Sequence, residues 1–296
     1  MSRDVQPHRC APRLFHKRQR VIKKKIALWK WALLFVAALL LAIIGYGMLM
    51  ALAELTSSGV WNVVGSIALL GLYALAVRLL ELHWPRDLSL VRLPGHLGLG
   101  LLIGGLFFVV VVGVMWLSGC CSLAPVGFQW RVQCVEFTCF LTVAVGEEVI
   151  FRGVLFRWMD ERWNMVAALI VSALLFGIVH IFNDGATWWS SLAIAIEAGL
   201  LLGLAYKWSG TLWLPIGIHW AWNYVQGNVF GFSVSGLPVD NSMFRTATSG
   251  PDIITGGAFG PEASILSVVL GATLSALFIW KMKRTALPED KQPELN

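Results

Sequence analysis

Three charged side chains stand inside an otherwise apolar run, TVAVGEEVIFRGVLF, which begins at Thr142. Glu148 and Arg152 are four residues apart, so a helix places them on one face, where their charges can neutralise each other. Glu147 points about 100° away from Glu148 and has no partner on its own helix. A carboxylate in that position is suited to act as a general base at neutral pH. A buried ion network that holds helices together is the alternative for all three residues.

Two further polar pairs have the same helical spacing. Phe176 and His180 in FGIVH share one face, and so do His219 and Asn223 in HWAWN. A lone His in a helix is usually a satisfied core residue, but two such pairs beside an acidic one indicate a built site. Converging His and Glu could bind a metal or activate water directly, and an Asn with a His could donate hydrogen bonds to an oxyanion. Glu197, in the sixth predicted span, is a peripheral candidate.

The elements that carry these residues are membrane helices. Of the 296 residues, 57% are hydrophobic and 14% are charged, whereas soluble domains carry about 25% charged residues. Because about 20 apolar residues cross a bilayer, the sequence predicts an all-α polytopic membrane protein with about eight transmembrane helices. The predicted spans are 31–53, 60–80, 97–117, 134–156, 164–182, 189–206, 211–230 and 264–281.

The distribution of Lys and Arg predicts the topology. Residues 1–25 hold nine of them. A nucleic-acid-binding arm is one interpretation, but an apolar span follows at once, so we favour a cytoplasmic anchor and expect no nucleic-acid partner. Placing both termini in the cytoplasm puts nearly all other Lys and Arg on the same side. The predicted regions are a basic arm 1–30, helices 1–3 in 31–130, a catalytic core with helices 4–7 in 131–230, an external loop 231–263, helix 8 in 264–283 and a cytoplasmic tail 284–296.

Two features on the external side remain open. The loop 231–263 is rich in Gly, Ser, Thr and Pro, and is either flexible or a partial lid. Adjacent Cys120 and Cys121 are candidates for oxidation, although no pair of cysteines has the spacing of a zinc site.

Helix depth tests whether the site can assemble. Counted from the cytoplasmic side, Glu147 and His219 lie at similar levels, so we expect the site to open toward the cytoplasmic half. His180 lies deeper by the same count. Convergence therefore requires the fifth span to begin in the cytosol near DERWN, or to tilt.

The three polar motifs resemble those of a known family. EEVIFR, FGIVH and HWAWN match the EExxxR, FxxxH and HxxxN signatures of the CPBP family, in this order and each on a predicted span. That family includes type II CAAX prenyl endopeptidases and bacteriocin-processing enzymes, also known as abortive-infection (ABI) proteins. The resemblance covers residues from about 130 to 230, and it implies an eight-helix intramembrane endopeptidase.

The resemblance also implies a role for each motif residue. Glu147 and His180 would activate the attacking water, and His219 with Asn223 would form the oxyanion hole. A zinc ion held by Glu147, His180 and His219 is the alternative to the metal-free mechanism, which we favour. The supporting residues would be Glu148, Arg152 and Phe176.

The resulting hypothesis is a peptidase in the cytoplasmic (inner) membrane of a bacterium, cutting a membrane-embedded peptide or protein within the lipid bilayer. A non-catalytic scaffold or immunity protein of the same fold is an alternative, and it predicts that Glu147→Ala leaves function intact. A proton-coupled transporter is another, and it predicts coupled flux. The sequence determines neither the substrate nor the oligomeric state.

Overall fold

The computed structural model describes residues 59–285, together with the helical positions 40, 43–45, 47, 48 and 51. The predicted basic arm lies outside the described residues, and so does the tail from residue 286 onward. The predicted first span, 31–53, lies largely outside them.

The described part is mostly helical. Its α-helices are α1 (Gly59–Glu81), α2 (Leu93–Leu117), α3 (Trp130–Glu148), α4 (Arg157–Arg162), α5 (Met165–Val179), α6 (Trp188–Ile194), α7 (Leu201–Ser209), α8 (Trp213–Tyr224), α9 (Asp252–Thr255) and α10 (Ile265–Thr285). Three π-helical segments, Val149–Phe156, Ala195–Leu200 and Val225–Val229, continue α3, α6 and α8. Short 3₁₀ turns lie at Arg86–Leu88, His180–Phe182, Gly257–Phe259 and Pro261–Ala263.

Within residues 59–285, five helices are long and apolar enough to cross a membrane. They are Gly59–Glu81, Leu93–Leu117, Met165–Phe182, Trp188–Ser209 and Ile265–Arg284. These helices identify an integral membrane protein. The stretches that begin at Trp130 and Trp213 carry the polar motif residues, which lower their apolar content. The total of eight spans and the cytoplasmic termini stay predictions.

The helix of the fourth predicted span is longer than expected, and this removes the predicted difference in depth between Glu147 and His180. Helix α3 continues through its π-helical segment into α4, so the helical stretch ends at Arg162 instead of residue 156. Glu147 therefore lies about 15 residues before the end of this stretch, and His180 lies about 15 residues after the start of α5 at Met165. The two side chains stand at similar levels without a large tilt of α5.

Helices α2 and α8 pack with their backbones in contact. A Cβ at Gly104 would lie 2.0 Å from the carbonyl oxygen of Ile218, and one at Gly217 would lie 2.6 Å from that of Leu97. Glycine is the residue that permits such an approach between membrane helices. Because Ile218 precedes His219, this contact fixes the position of a site residue.

A small antiparallel sheet departs from the all-α prediction. Strands β1 (Cys121–Pro125) and β2 (Phe244–Thr248) pair from Cys121 opposite Thr248 to Pro125 opposite Phe244. Each strand has five residues, too few to show a clear alternating pattern. The sheet holds the segment 231–263, which is folded against the helices. Cys120 and Cys121 are both free thiols.

Candidate active site

Residues of two motifs line one small cavity, and the third motif contacts it through His219. Its volume is about 20 Å³, which is enough for about one water molecule. The cavity is lined by Phe176, His180, Ile194, Ala198, Leu202, His219, Trp222, Asn223, Ser235 and Glu262. Five of these ten residues are apolar, and the other five carry polar side chains that can bind a water molecule.

Glu148 and Arg152 form the expected ion pair, at 2.7 Å between Oε1 and Nη1. Both side chains are fully buried. Nη2 of Arg152 also donates to the carbonyl oxygens of Ala198 and Gly199, each at 3.2 Å. These carbonyls lie in the π-helical segment Ala195–Leu200, where the regular α-helical ladder is interrupted and carbonyls can accept bonds from elsewhere. The guanidinium stands 4.6 Å from the centre of the Phe176 ring, within the range of a cation–π contact.

His219 is held from both sides by carboxylates. Its Nδ1 lies 3.0 Å from Oε1 of Glu148, and its Nε2 lies 3.9 Å from Oε2 of Glu147. An ionised carboxylate only accepts hydrogen bonds, so Nδ1 carries the proton. In the imidazolium form Nε2 is a donor as well. That donor would stand beside Asn223, which lines the same cavity.

His180 is bonded through Nδ1 as well, but to a backbone carbonyl and not to a carboxylate. Its Nδ1 lies 2.6 Å from the carbonyl oxygen of Phe176, which can only accept, so Nδ1 donates. In the neutral ring the lone pair is then on Nε2, and such a nitrogen can take a proton from water. The Phe176 ring contacts both imidazoles, at 4.9 Å from His180 and 6.2 Å from His219 between ring centres. The packing of this ring restrains the orientation of both histidines.

Glu147 lies at the edge of this arrangement. Its side chain is 21% exposed, whereas Glu148 is fully buried, so helical phase separates the two carboxylates as predicted. The resemblance implies that Glu147 acts together with His180, but its ion-pair contact is with His219. No hydrogen bond or ion pair joins Glu147 to His180 among the residues that the structure describes. Within the same residues, Glu147, His180 and His219 do not come together as a metal-ligand cluster.

Glu197 stands behind the wall of the cavity. It is fully buried in the π-helical segment beside Ala198, a lining residue. Its backbone packs on α10, where a Cβ at Gly271 would lie 2.7 Å from the Glu197 Cα. Within the described part of the chain neither of its carboxyl oxygens has a hydrogen-bond partner. The structure therefore places it next to the site but does not aim it into the cavity.

Two lining residues, Ser235 and Glu262, were missed by the sequence analysis. Both belong to the segment 231–263, so the cavity lies toward the end of the helices that this segment covers. The opening toward the cytoplasmic half stays a prediction, as does the placement of this segment on the external side. Burial raises the pKa of Glu262, while hydrogen bonds from Trp222 and Ser235 act in the opposite direction. Glu262 sits in a loop-like composition, where an acidic residue is ordinarily solvated. Only the tertiary fold reveals its burial.

Comparison with known proteins agrees with the motifs. A family model described as "Type II CAAX prenyl endopeptidase Rce1-like" matches residues 129–225, which contain all three motifs. A protein of Bacillus subtilis (strain 168) named "Putative membrane peptidase YdiL" is 24% identical over 218 residues, which are 69% of this chain and 83% of that protein. The rice protein "Probable potassium transporter 14" is 27% identical over 147 residues, which are 48% of this chain but 16% of that protein. No solved structure matches the chain significantly.

Proposed function

We propose, from the premise that the chain belongs to the CPBP family of membrane peptidases, that it hydrolyses a peptide bond in a membrane-associated protein or peptide. The observation that carries the proposal is the cavity itself. It has room for about one water molecule between His180, His219 and Asn223. A single enclosed water beside a basic nitrogen and hydrogen-bond donors is what amide hydrolysis without a covalent intermediate requires.

The proposed reaction begins with the water. Its oxygen attacks the carbonyl carbon of the scissile bond while one of its protons passes to Nε2 of His180, with the Glu147 carboxylate assisting this activation. The carbonyl π electrons move to oxygen and form a tetrahedral oxyanion. When the carbon–nitrogen bond breaks, the proton on His180 passes to the leaving amine, and a carboxylic acid and an amine are released. General-base catalysis of this kind is worth about 10²- to 10⁴-fold in rate.

Two side chains that line the cavity, His219 and Asn223, would stabilise the oxyanion. Nε2 of protonated His219 and the side-chain amide of Asn223 are donors that can be directed at it. Glu148 fixes the His219 ring through Nδ1, and Arg152 in turn fixes Glu148. One such donor typically contributes about 10²- to 10³-fold to kcat.

The alternatives have less support. The match to the rice transporter covers 16% of that protein, so it does not favour transport by this chain. A non-catalytic scaffold needs no enclosed water site. We place the protein in the bacterial cytoplasmic membrane, with its natural substrate embedded in or anchored to that membrane.

The test compares cells that carry wild-type protein with cells that carry Glu147→Gln or His180→Ala. Membrane peptides are identified by mass spectrometry, and the peptide that accumulates only with the variants is then cleaved by reconstituted wild-type protein. Glu136→Gln is the matched control, because this carboxylate lies on the same helix, α3, near its other end. Cleavage of the peptide by reconstituted Glu147→Gln at the wild-type rate would refute the proposed mechanism.

A further inference from the structure

Glu262 belongs to none of the three motifs, yet it lines the cavity and is only 3% exposed. Its Oε1 accepts a hydrogen bond from Nε1 of Trp222 at 3.0 Å. Its Oε2 accepts two bonds from Ser235, from the backbone N at 2.6 Å and from Oγ at 3.1 Å. Both oxygens act only as acceptors, which is the pattern of an ionised carboxylate.

One of these contacts leads to Asn223. The Trp222 ring stacks on Phe107 with the ring centres 4.1 Å apart, which restrains the plane of the indole. The hydrogen bond to Glu262 fixes the rotation of the ring within that plane. Since Asn223 is the next residue of α8 and lines the same cavity, Glu262 holds the wall that carries the proposed oxyanion donor.

The other contact leads to His180. The carbonyl oxygen of Ser235 accepts a bond from Nδ2 of Asn183 at 2.8 Å. The backbone N–H of Asn183 donates to the carbonyl oxygen of His180 at 3.2 Å and closes the 3₁₀ turn in which His180 lies. Glu262 therefore reaches the proposed base through two hydrogen-bonded residues.

The backbone between these contacts has an unusual conformation. Ser235 has φ +49°, a left-handed conformation that non-glycine residues seldom adopt and that persists where surrounding contacts enforce it. Gly236 follows with φ +85°, and a Cβ there would lie 1.9 Å from the carbonyl oxygen of Asp184. The turn is thus clamped between Glu262 and the segment that follows His180.

We propose that Glu262 is a positioning residue of the peptidase site, which fixes two lining residues of the cavity, His180 through Ser235 and Asn223 through Trp222. This inference rests on the proposed function. Its consequence is kinetic, because a displacement of a catalytic group by about 1 Å can cost about 10²-fold in rate.

The experiment uses the full chain in lipid nanodiscs and the variant Glu262→Gln. Glutamine has the same shape, but its NH₂ group must face a donor of either Trp222 or Ser235, so one contact is lost. We expect faster hydrogen–deuterium exchange in residues 180–186, in residues 219–226 or in both. With the peptide that accumulates in Glu147→Gln cells as substrate, we expect kcat to fall about 10- to 100-fold while KM stays within about threefold.

The matched control is again Glu136→Gln. Glu136 accepts a bond from Nδ2 of Asn241, at 3.3 Å, in the same segment 231–263 but in an exposed position. We expect wild-type exchange in both segments and wild-type kcat. The glutamine oxygen can still accept this bond, so the control exchanges a carboxylate for an amide beside the segment 231–263 without losing a contact, whereas the proposed positioning affects Glu262→Gln alone.

One further variant keeps the test informative if Glu262→Gln does not fold. Trp222→Phe removes a single donor, and it should speed exchange in residues 219–226 while leaving residues 180–186 protected. Where Glu262→Gln does fold, the double variant with Trp222→Phe gives a further comparison. The increase in exchange of residues 219–226 caused by Glu262→Gln should be smaller in the Trp222→Phe background, because Nε1 of Trp222, which the new NH₂ group would face, is then absent.

Two results would overturn the inference: wild-type exchange in both segments of Glu262→Gln, or faster exchange with an unchanged kcat. If wild-type protein cleaves no membrane peptide at all, the proposed function fails instead. The exchange comparison then decides alone whether Glu262 fixes His180 and Asn223.

Discussion

Replacement of Arg152 by methionine should destabilise the protein severely. Met has a similar length and fills much of the same space, so the main loss is the charge that faces Glu148 at 2.7 Å. Both side chains are shielded from solvent, at 1% and 0% exposure. Removing one partner of a buried ion pair leaves an uncompensated charge, which costs about 3–5 kcal/mol. The bonds to Ala198 and Gly199 are lost as well, so the upper part of this range is expected.

An exposed ion pair provides the comparison. Lys207 lies 2.5 Å from Asp160, with side chains 37% and 20% exposed. Because water and salt screen this pair, Lys207→Met should cost less than about 1 kcal/mol. The two variants remove one cation each at similar ion-pair distances, and they differ mainly in burial.

The double variant Arg152→Met/Glu148→Gln isolates the cause. The glutamine oxygen can still accept the bond from Nδ1 of His219, but neither member of the Glu148–Arg152 pair then carries a charge. Since exchanging a whole buried pair for neutral groups is often close to neutral, the double variant should recover most of the lost stability.

The assay is the free energy of unfolding in mixed micelles, followed by the loss of helical circular dichroism as denaturing detergent is added. The reasoning is refuted if Arg152→Met costs no more than Lys207→Met. It is also refuted if the double variant is as unstable as Arg152→Met, since the loss would then come from packing and not from an unpaired charge.

Three further predictions concern packing, a buried hydrogen bond and metal dependence. Gly104→Ala should lower the free energy of unfolding by about 1–3 kcal/mol, because its Cβ would lie 2.0 Å from the Ile218 carbonyl oxygen. Gly113→Ala is the control and should not lower it, because a Cβ there has nothing within 4 Å. Equal free energies for the two variants in the same assay would contradict the close contact. Tyr73→Phe removes a donor to the buried Asp87 carboxylate, at 2.7 Å, and should cost about 1–3 kcal/mol, with Tyr73→Leu as a comparison that adds the loss of the ring. Peptide cleavage should survive treatment with a strong zinc chelator, and a loss of activity that added zinc restores would establish the metal-dependent alternative.

The sequence alone predicted which charged residues share a helix face and which of them need a partner. A charge inside an apolar span needs a partner, and four-residue spacing supplies one, so the pairing of Glu148 with Arg152 followed from local geometry. The same geometry turned Glu147 away from it. The helices within residues 59–285 were also predicted to within a few residues, except at the end of the fourth predicted span, where a π-helical segment and Arg157–Arg162 prolong the helix.

Only the tertiary structure determines which carboxylate contacts which histidine in the site. Which carboxylate meets which imidazole depends on the rotation and depth of separate helices, and the glycine contact between α2 and α8 sets this for His219. That is why Glu147 contacts His219 and not His180. Glu262 and Ser235 could not be found from the sequence, because a loop segment has no periodicity that indicates which side chains become buried. Their place at the cavity results from long-range contacts, such as the pairing of β1 with β2. Such contacts stabilise the protein only after distant parts of the chain have packed together, so the local sequence does not indicate them.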